Sequence, residues 1–263
     1  MYRCFELENM KENFFNLSYE NYLEKGRSNF EGFKNKVKNT LDQFENSDKS
    51  LNGDKMQSNW FPQIKADVFL SHSHADENLV IAFAGWLKEE FNLDVFIDSC
   101  VWEYSMDLQK IIDKHYSMND GKLIYNKVLY ASSHVHMMLN TALMQMIDNC
   151  ECIMFINTPN SVKPDEVVNE VVSPWIYSEL GMTKLIKKKD IEDHRSSFLF
   201  EKSENYSEQL SVRYNLDTEH LTKLNANDLE LWKSKIPNFK TLIFQHSRKA
   251  LDILYEMKPI RIA

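Results

Sequence analysis

The stretch Ala66-Asp-Val-Phe-Leu-Ser-His-Ser-His-Ala-Asp-Glu-Asn-Leu-Val80 constrains the fold more than any other part of the chain. Val68-Phe69-Leu70 is apolar without alternation, as a strand covered on both faces requires. A short polar loop follows. In it Ser73 and Asp76 are spaced like a capping pair, a hydroxyl for an orphan amide and an acid near the positive end of a helix. Val80, Phe83, Ala84, Leu87 and Phe91 then recur at helical spacing, and Trp86 widens the stripe. Leu93-Asp-Val-Phe-Ile-Asp98 reads as a second strand. Strand, helix and strand within about thirty residues form one parallel crossover unit. In such sheets ligands gather beyond the carboxyl ends of the strands, so Ser71, His72, Ser73 and Asp98 become candidate binding residues.

On either side of this unit the chain divides unevenly. Residues 1–60 read as a helical extension and linker. Phe30, Phe33, Val37, Leu41 and Phe44 step by three or four, which predicts an amphipathic helix over about Leu17 to Glu45 with Gly26 as a break. Such a stripe packs on its own domain or on a second copy. Ser47 to Asp54 is polar linker. Residues 61–263 read as an α/β domain. After Asp98, a loop over Ser99–Met106 precedes a helix from Asp107, and Met118 to Lys122 is a turn. Leu123 to Tyr130 is short strand or irregular, and Ser133 caps the next helix. Cys152-Ile-Met-Phe-Ile-Asn-Thr158 is a third buried strand. Ser173-Pro174 starts a helix, with a capping hydroxyl and a proline where its missing amide costs nothing. Ser197–Phe200 and Leu210–Asn215 are candidate strands, with helices expected from Thr218, from Asn227 and over Pro237–Met257. Alternating strands and helices give an α/β fold with a parallel sheet.

Composition narrows the function. The chain carries 31 basic and 39 acidic residues, a net charge of -8, which speaks against nucleic acid or an anionic membrane as partner. No apolar run has transmembrane length, and the first residues lack the apolar core of a signal peptide. The four cysteines, Cys4, Cys100, Cys150 and Cys152, suit neither a disulfide framework nor a tetrathiolate zinc site, so a cytoplasmic setting is expected. His72-x-His74 and His134-x-His136 offer imidazoles in pairs without the further ligands that close a metal shell, so no metal is expected. No glycine-rich phosphate loop and no Gly-x-Ser-x-Gly elbow occurs.

Three separated patches resemble one family. Asp67-Val-Phe-Leu-Ser71 with Ser73 and Asp76 resembles the first box of Toll/interleukin-1 receptor (TIR) domains, above all the bacterial ones. Leu93 to Asp98 with the loop around Trp102 resembles the family's second strand and BB loop. Trp175-Ile-Tyr-Ser-Glu179 resembles the Trp-x-x-x-Glu motif of its catalytic helix. The likeness covers roughly residues 62 to 260, in the family's order. It implies a flavodoxin-like parallel sheet with helices on both faces, the TIR fold. It also implies cleavage of NAD+ at the nicotinamide–ribose bond, with Glu179 catalytic and Ser71, His72, Ser73, Asp98, Trp102 and Trp175 around the substrate. The products would be nicotinamide and ADP-ribose, or a cyclic or conjugated ADP-ribose signal in antiviral defence. NAD+ is then a substrate and no cofactor is required. Self-association through TIR–TIR contacts and a downstream effector sensing the product are the implied partners. The chain departs from the pattern in two places. About fifty residues separate Asp98 from Cys152, which places an insertion around 107–132, and the BB loop lacks the usual Gly or Pro.

The residue types suit this chemistry. Nicotinamide leaves as a neutral molecule and needs no acid. The site must stabilise an oxocarbenium-like ribosyl centre, and one carboxylate can do that. Trp175 stands four residues before Glu179, on the same helix face, where an indole can pack beside the sugar or exclude water. If the phosphates are held, the amides opening the Ser71–Asp76 helix start are the candidates. The bland readings are a solvated helix acid for Glu179, core aromatics for the two tryptophans, a turn-capping role for Asp98 and helix caps for Ser71 and Ser73. Two other functions fit the same layout: a non-catalytic TIR adaptor, and an enzyme like the nucleoside deoxyribosyltransferases, which also use a Glu.

Overall fold

The computed structural model describes residues 1–34, 41–48, 50–164, 169–171, 173–186, 188–196, 214–215, 218, 220–236 and 247–259. Five parallel strands form its sheet: β1 (Arg3–Glu8), β2 (Val68–Ser71), β3 (Val95–Ile97), β4 (Cys152–Asn157) and β5 (Thr222–Leu224). Their order is β5-β1-β4-β2-β3. Around it lie α1 (Tyr19–Lys34), α2 (Gly53–Trp60), α3 (Glu77–Phe91), α4 (Ser99–Tyr116), α5 (Tyr125–Asn149), α6 (Pro174–Leu185), α7 (Ile191–Ser196), α8 (Ala226–Lys235) and α9 (Ser247–Met257). The protein is thus α/β, as its alternating pattern requires.

Both faces of the sheet are covered. Val68, Leu70, Met154, Ile156, Phe5 and Leu7 pack with α1, α3, α8 and α9. Phe69, Phe96, Ile153, Phe155 and Cys4 point the other way, into a second cluster with α2, α4, α5 and α6. Alternate residues of each strand feed opposite clusters, the geometry of the pleat. The continuous apolar runs of β2 and β4 follow from this double burial.

The N-terminal segment is not an extension. Arg3–Glu8 lies inside the sheet, hydrogen-bonded to β4 on one side and β5 on the other. Counting β2, β3 and β4 as first, second and third, the spatial order is 2-1-3, with β1 in the fourth place and β5 in the fifth. That order is compatible with a flavodoxin-like sheet, with its fourth strand supplied from the start of the chain. Nor does Gly26 break a helix. It sits inside α1, where a Cβ would stand 2.0 Å from the Ile81 carbonyl oxygen; at Gly85 a Cβ would meet the Tyr22 carbonyl oxygen at the same distance. Two glycines facing each other let the backbones of α1 and α3 touch. Tyr22 and Leu23 are buried in the core there, while the side chains of Phe30, Phe33 and Val37 lie outside the described residues.

Other expectations change in detail. The loop expected over Ser99–Met106 is the first half of α4, which starts directly after β3 because the Asp98 side chain accepts from the Ser99 amide at 2.8 Å. The insertion around 107–132 is the end of α4, a two-stranded hairpin (Met118–Asn119 with Lys122–Leu123) and the start of α5. Asp120 (φ 48°) and Gly121 (φ 74°) make the tight turn that such a hairpin needs. Ser133 does not cap α5. It lies within it, its hydroxyl donating to the Tyr130 carbonyl at 2.7 Å. The helix expected from Thr218 is instead β5, and α8 follows, opened by an Asn225–Asp228 capping box. Of Leu210–Asn215, only Tyr214–Asn215 is described. It pairs with Asn169–Val171, which pairs in turn with Val162–Pro164. The strand expected at Ser197–Phe200 and the first half of the Pro237–Met257 helix lie outside the described residues. Among the described residues no helix is long and apolar enough to cross a membrane.

Candidate active site

β2 and β4 are the neighbours at which the strand order reverses, so the crevice lies beyond Ser71 and Asn157. One register row crosses the sheet at that edge. Ser71 pairs with Phe155, and Phe155 with Glu6. All three side chains lie on the α5–α6 face, because each is two residues along its strand from a member of that cluster.

Helix α6 lays its inner face over this row. Ser173 Oγ accepts from the Ile176 amide at 3.4 Å and Pro174 begins the first turn, so cap and proline act as the sequence predicts. Ile176, Glu179, Leu180 and Thr183 are then buried at helical spacing. Glu179 is thereby turned inward, not toward water, and is only 3% exposed. Ser71 Oγ donates to Glu179 Oε2 at 2.5 Å; Oε1 accepts no bond among the described residues, and the Glu179 carboxyl stands within hydrogen-bonding reach of the Asp98 carboxyl.

Asp98 and His72 complete the group. His72 Nδ1 stands 2.6 Å from Asp98 Oδ1, a close ion-pair contact that raises the pKa of the ring. His72 Nε2 has no partner among the described residues. Ser71, His72, Asp98 and Glu179 are all buried. Burial holds the Glu179 carboxyl well above the usual carboxylate range, and the nearby negative charge of Asp98 adds to this; the Ser71 hydroxyl works weakly in the opposite sense. For His72, burial favours the neutral ring, but the charge of Asp98, with Glu77 and Asp76 behind it, outweighs that and leaves its pKa raised. Burial and the charge of Asp98 thus favour the protonated form of Glu179, and the charge of Asp98 favours the protonated ring of His72.

The remaining candidates fall nearby or elsewhere. Ser73 stands before the short helix His74–Asp76 but makes no capping bond there. Asp76 instead reaches across the crevice. Its carboxylate accepts from Thr158 Oγ1 at 2.5 Å and from Asn160 Nδ2 at 2.7 Å, tying the loop after β2 to the loop after β4. That carboxylate stands where the helix start could have cradled phosphate, and the Asp76 amide is already bonded to the Ser73 carbonyl. Trp175 is half-buried one turn before Glu179 and stacks on His136 with ring centroids 5.8 Å apart. Trp102 lies in α4 rather than in a loop, and its side chain is outside the described residues. His134 and His136 part company on α5: His134 meets the Tyr130 ring, His136 the Trp175 ring. Among the described residues no group of three His, Cys, Asp or Glu is arranged to hold a metal ion. Cys150 and Cys152 are fully buried thiols with pKa pushed up by burial, so they pack rather than react.

Two buried groups escaped the sequence reading. Asp76 was visible only as a helix-end acid, and its partners Thr158 and Asn160 lie 82 and 84 residues away. Glu6 was hidden in a segment read as extension. The alternation in Arg3-Cys-Phe-Glu-Leu-Glu8 is the signal that could have exposed both the strand and its inward acid.

No protein-family model, no curated protein and no solved structure matches this chain. The class that fold and site define is an α/β protein with a five-stranded parallel sheet and a buried carboxylate cluster at its carboxyl edge.

Proposed function

We propose that the protein is a TIR-type NAD+ nucleosidase that cleaves the nicotinamide–ribose bond, with Glu179 as the catalytic carboxylate. One observation carries this reading. A glutamate from a Trp-x-x-x-Glu helix is held by the hydroxyl at the tip of β2 and flanked by the aspartate at the tip of β3, at the edge where α/β sheets bind ligands. A glutamate that only decorated a helix would be solvated.

The chemistry follows from the surroundings. The pyridinium ribose carries positive charge and gathers more at the ribosyl carbon as the bond breaks. A carboxylate beside it is stabilised in its ionised form by that charge, so substrate entry lowers the raised pKa of Glu179. The ionised Glu179 then stabilises the oxocarbenium-like centre and accepts hydrogen bonds from the ribose hydroxyls. Ser71 keeps its carboxyl in place. Asp98 and His72 hold a balanced charge pair behind it, and Trp175 helps wall the helix side. Water attack gives ADP-ribose; attack by a group of the same molecule gives a cyclic product. Because the cluster is closed, activity depends on an opening motion, and self-association through TIR–TIR contacts is the trigger this reading favours. Antiviral signalling through a product sensor belongs to the same proposal.

The test is nicotinamide release from NAD+ by the purified chain at high concentration, beside Glu179→Gln. Release by the wild type and loss in the variant supports the reading. Equal release removes Glu179 from the chemistry. No release at any concentration leaves the adaptor, in which the cluster only fixes α6 to the sheet. Base exchange on deoxynucleosides without NAD+ cleavage selects the deoxyribosyltransferase chemistry.

A further inference from the structure

We infer that Glu6 is a second substrate-binding carboxylate of this site, one that grips the ribose diol of the adenosine half of NAD+ and selects against a 2′-phosphate. The inference rests on the NAD+-cleaving reading given above.

Three observations lead to it. Glu6 lies on β1, an inner strand of the five-stranded sheet, and is only 2% exposed. Asn157 Nδ2 donates to its Oε1 at 2.6 Å, which fixes the carboxylate, whereas Oε2 has no partner among the described residues. A buried carboxylate oxygen left unbonded is a burden to folding and calls for a reason. Glu6 also stands in the same register row as Ser71, with Phe155 between them, and all three side chains lie on the same face of the sheet. The carboxyls of Glu6 and Glu179 therefore lie on one side of the sheet, toward its carboxyl edge.

Spacing decides which part of the substrate each holds. One strand, β4, lies between β1 and β2, so two interstrand spacings put the Glu6 and Ser71 backbones about 10 Å apart. That exceeds the reach of a single sugar ring. It suits a dinucleotide laid across the carboxyl edge, with the reacting ribose at Glu179 and the other ribose at Glu6 beyond Phe155. A carboxylate with one free oxygen accepts hydrogen bonds from ribose hydroxyls, as acids do at the strand ends of dinucleotide-binding folds. The same charge repels a 2′-phosphate, so NAD+ is taken and NADP+ refused. Glu8 is no rival for this role: it is two residues nearer the rim and is hydrogen-bonded to Lys223, whereas the same Lys223 reaches Glu6 only through its charge.

Calorimetric titration of NAD+ and NADP+ into the Glu179→Gln chain, which binds without turnover, tests the assignment. NAD+ is expected to bind at least tenfold more tightly than NADP+. Adding Glu6→Gln should weaken NAD+ about tenfold and erase the preference, while Glu6→Asp, which keeps the charge, should retain it. Thermal unfolding of each variant checks that the fold is intact, and a merely structural Glu6 would not move the NAD+/NADP+ ratio. NAD+ binding with no preference over NADP+, or a preference that survives Glu6→Gln, overturns the inference while leaving the role of Glu179 standing. Absence of NAD+ binding to both wild type and Glu179→Gln overturns the underlying reading and this inference with it.

Discussion

The two ends of the sheet bury polar groups in opposite ways. At the amino end, Glu151 is buried just before β4 and every strong contact is answered. Its carboxylate accepts from Arg195 Nε at 3.3 Å, from Arg195 Nη2 at 3.2 Å and from Tyr255 Oη at 3.2 Å. Arg195 also donates to Asp252 at 2.8 Å, and the Glu151 carbonyl takes the amides of Tyr2 and Arg3. At the carboxyl end, Glu6, His72 and Glu179 each leave a buried atom unbonded. Both clusters are ionisable and inside the same small protein. The Glu151 carboxylate itself is fully bonded, although the neighbouring His194 Nε2 is also buried without a partner among the described residues. The second cluster holds capacity for hydrogen bonds that the described residues do not use, which is what the proposed ligand would take up.

Substitutions should separate the two ends, beginning with the largest effect. Glu179→Gln should lower NAD+ cleavage by about 10²-fold or more, the scale at which a single electrostatic group acts in such reactions, as read from initial rates of nicotinamide release. It should not destabilise the fold. Glu151→Ala should do the reverse. Leaving Arg195 with only Asp252 and stranding the Tyr255 hydroxyl should cost about 2 kcal/mol, seen as a lower urea midpoint, with unchanged turnover per folded molecule. Ser71→Ala comes next. It removes the donor that fixes Glu179, and a fall in kcat of roughly tenfold is expected for a lost positioning bond of about 1.4 kcal/mol.

The smallest effect concerns pH. The folded-state pKa of Glu179 is raised above the usual 4.5. Between that value and its folded pKa the native chain keeps a proton that the unfolded chain has released. Its contribution to stability therefore falls as pH rises through this window. Glu179→Gln has no such term. Its urea midpoint should gain on the wild type steadily as pH is raised from about 4.5, and a constant difference across pH would show that burial does not perturb this carboxyl. His72 works in the same direction: with its pKa raised above 6.5, its stabilising charge is present below that value and lost as pH rises through the folded one.

Legibility from sequence followed the range of the interactions. The crossover β2–α3–β3, the apolar run of β4 and the Ser173-Pro174 opening of α6 depend on neighbours in the chain, and each could be read directly. From them came Ser71, Asp98 and Glu179, which the structure brings together. β1 could not be read this way. Its residues pair with β4 about 150 positions away and with β5 more than 200 away, and the short alternation Phe5-Glu6-Leu7-Glu8 is its one local sign. β5 is three residues long, too short for any periodicity, and was taken for helix. The α4 start was obscured by Cys100, Val101, Trp102 and Tyr104, which favour strands, although Asp98 caps the helix from a position that was in view. Ser73 and Asp76 carried the residue types of a capping box. Tertiary contacts took precedence there: Asp76 found Thr158 and Asn160 across the crevice, and the serine was left without a capping bond.

The claim on which the whole account turns is that the carboxyl cluster of Ser71, Asp98 and Glu179 acts on the N-glycosidic bond of NAD+. Mass spectrometry of NAD+ incubated with concentrated wild-type chain and with Glu179→Gln measures this most directly. The account predicts free nicotinamide with an equimolar ADP-ribose species, linear or cyclic, from the wild type and intact NAD+ from the variant. Intact NAD+ in both samples, or identical products from both, would contradict it.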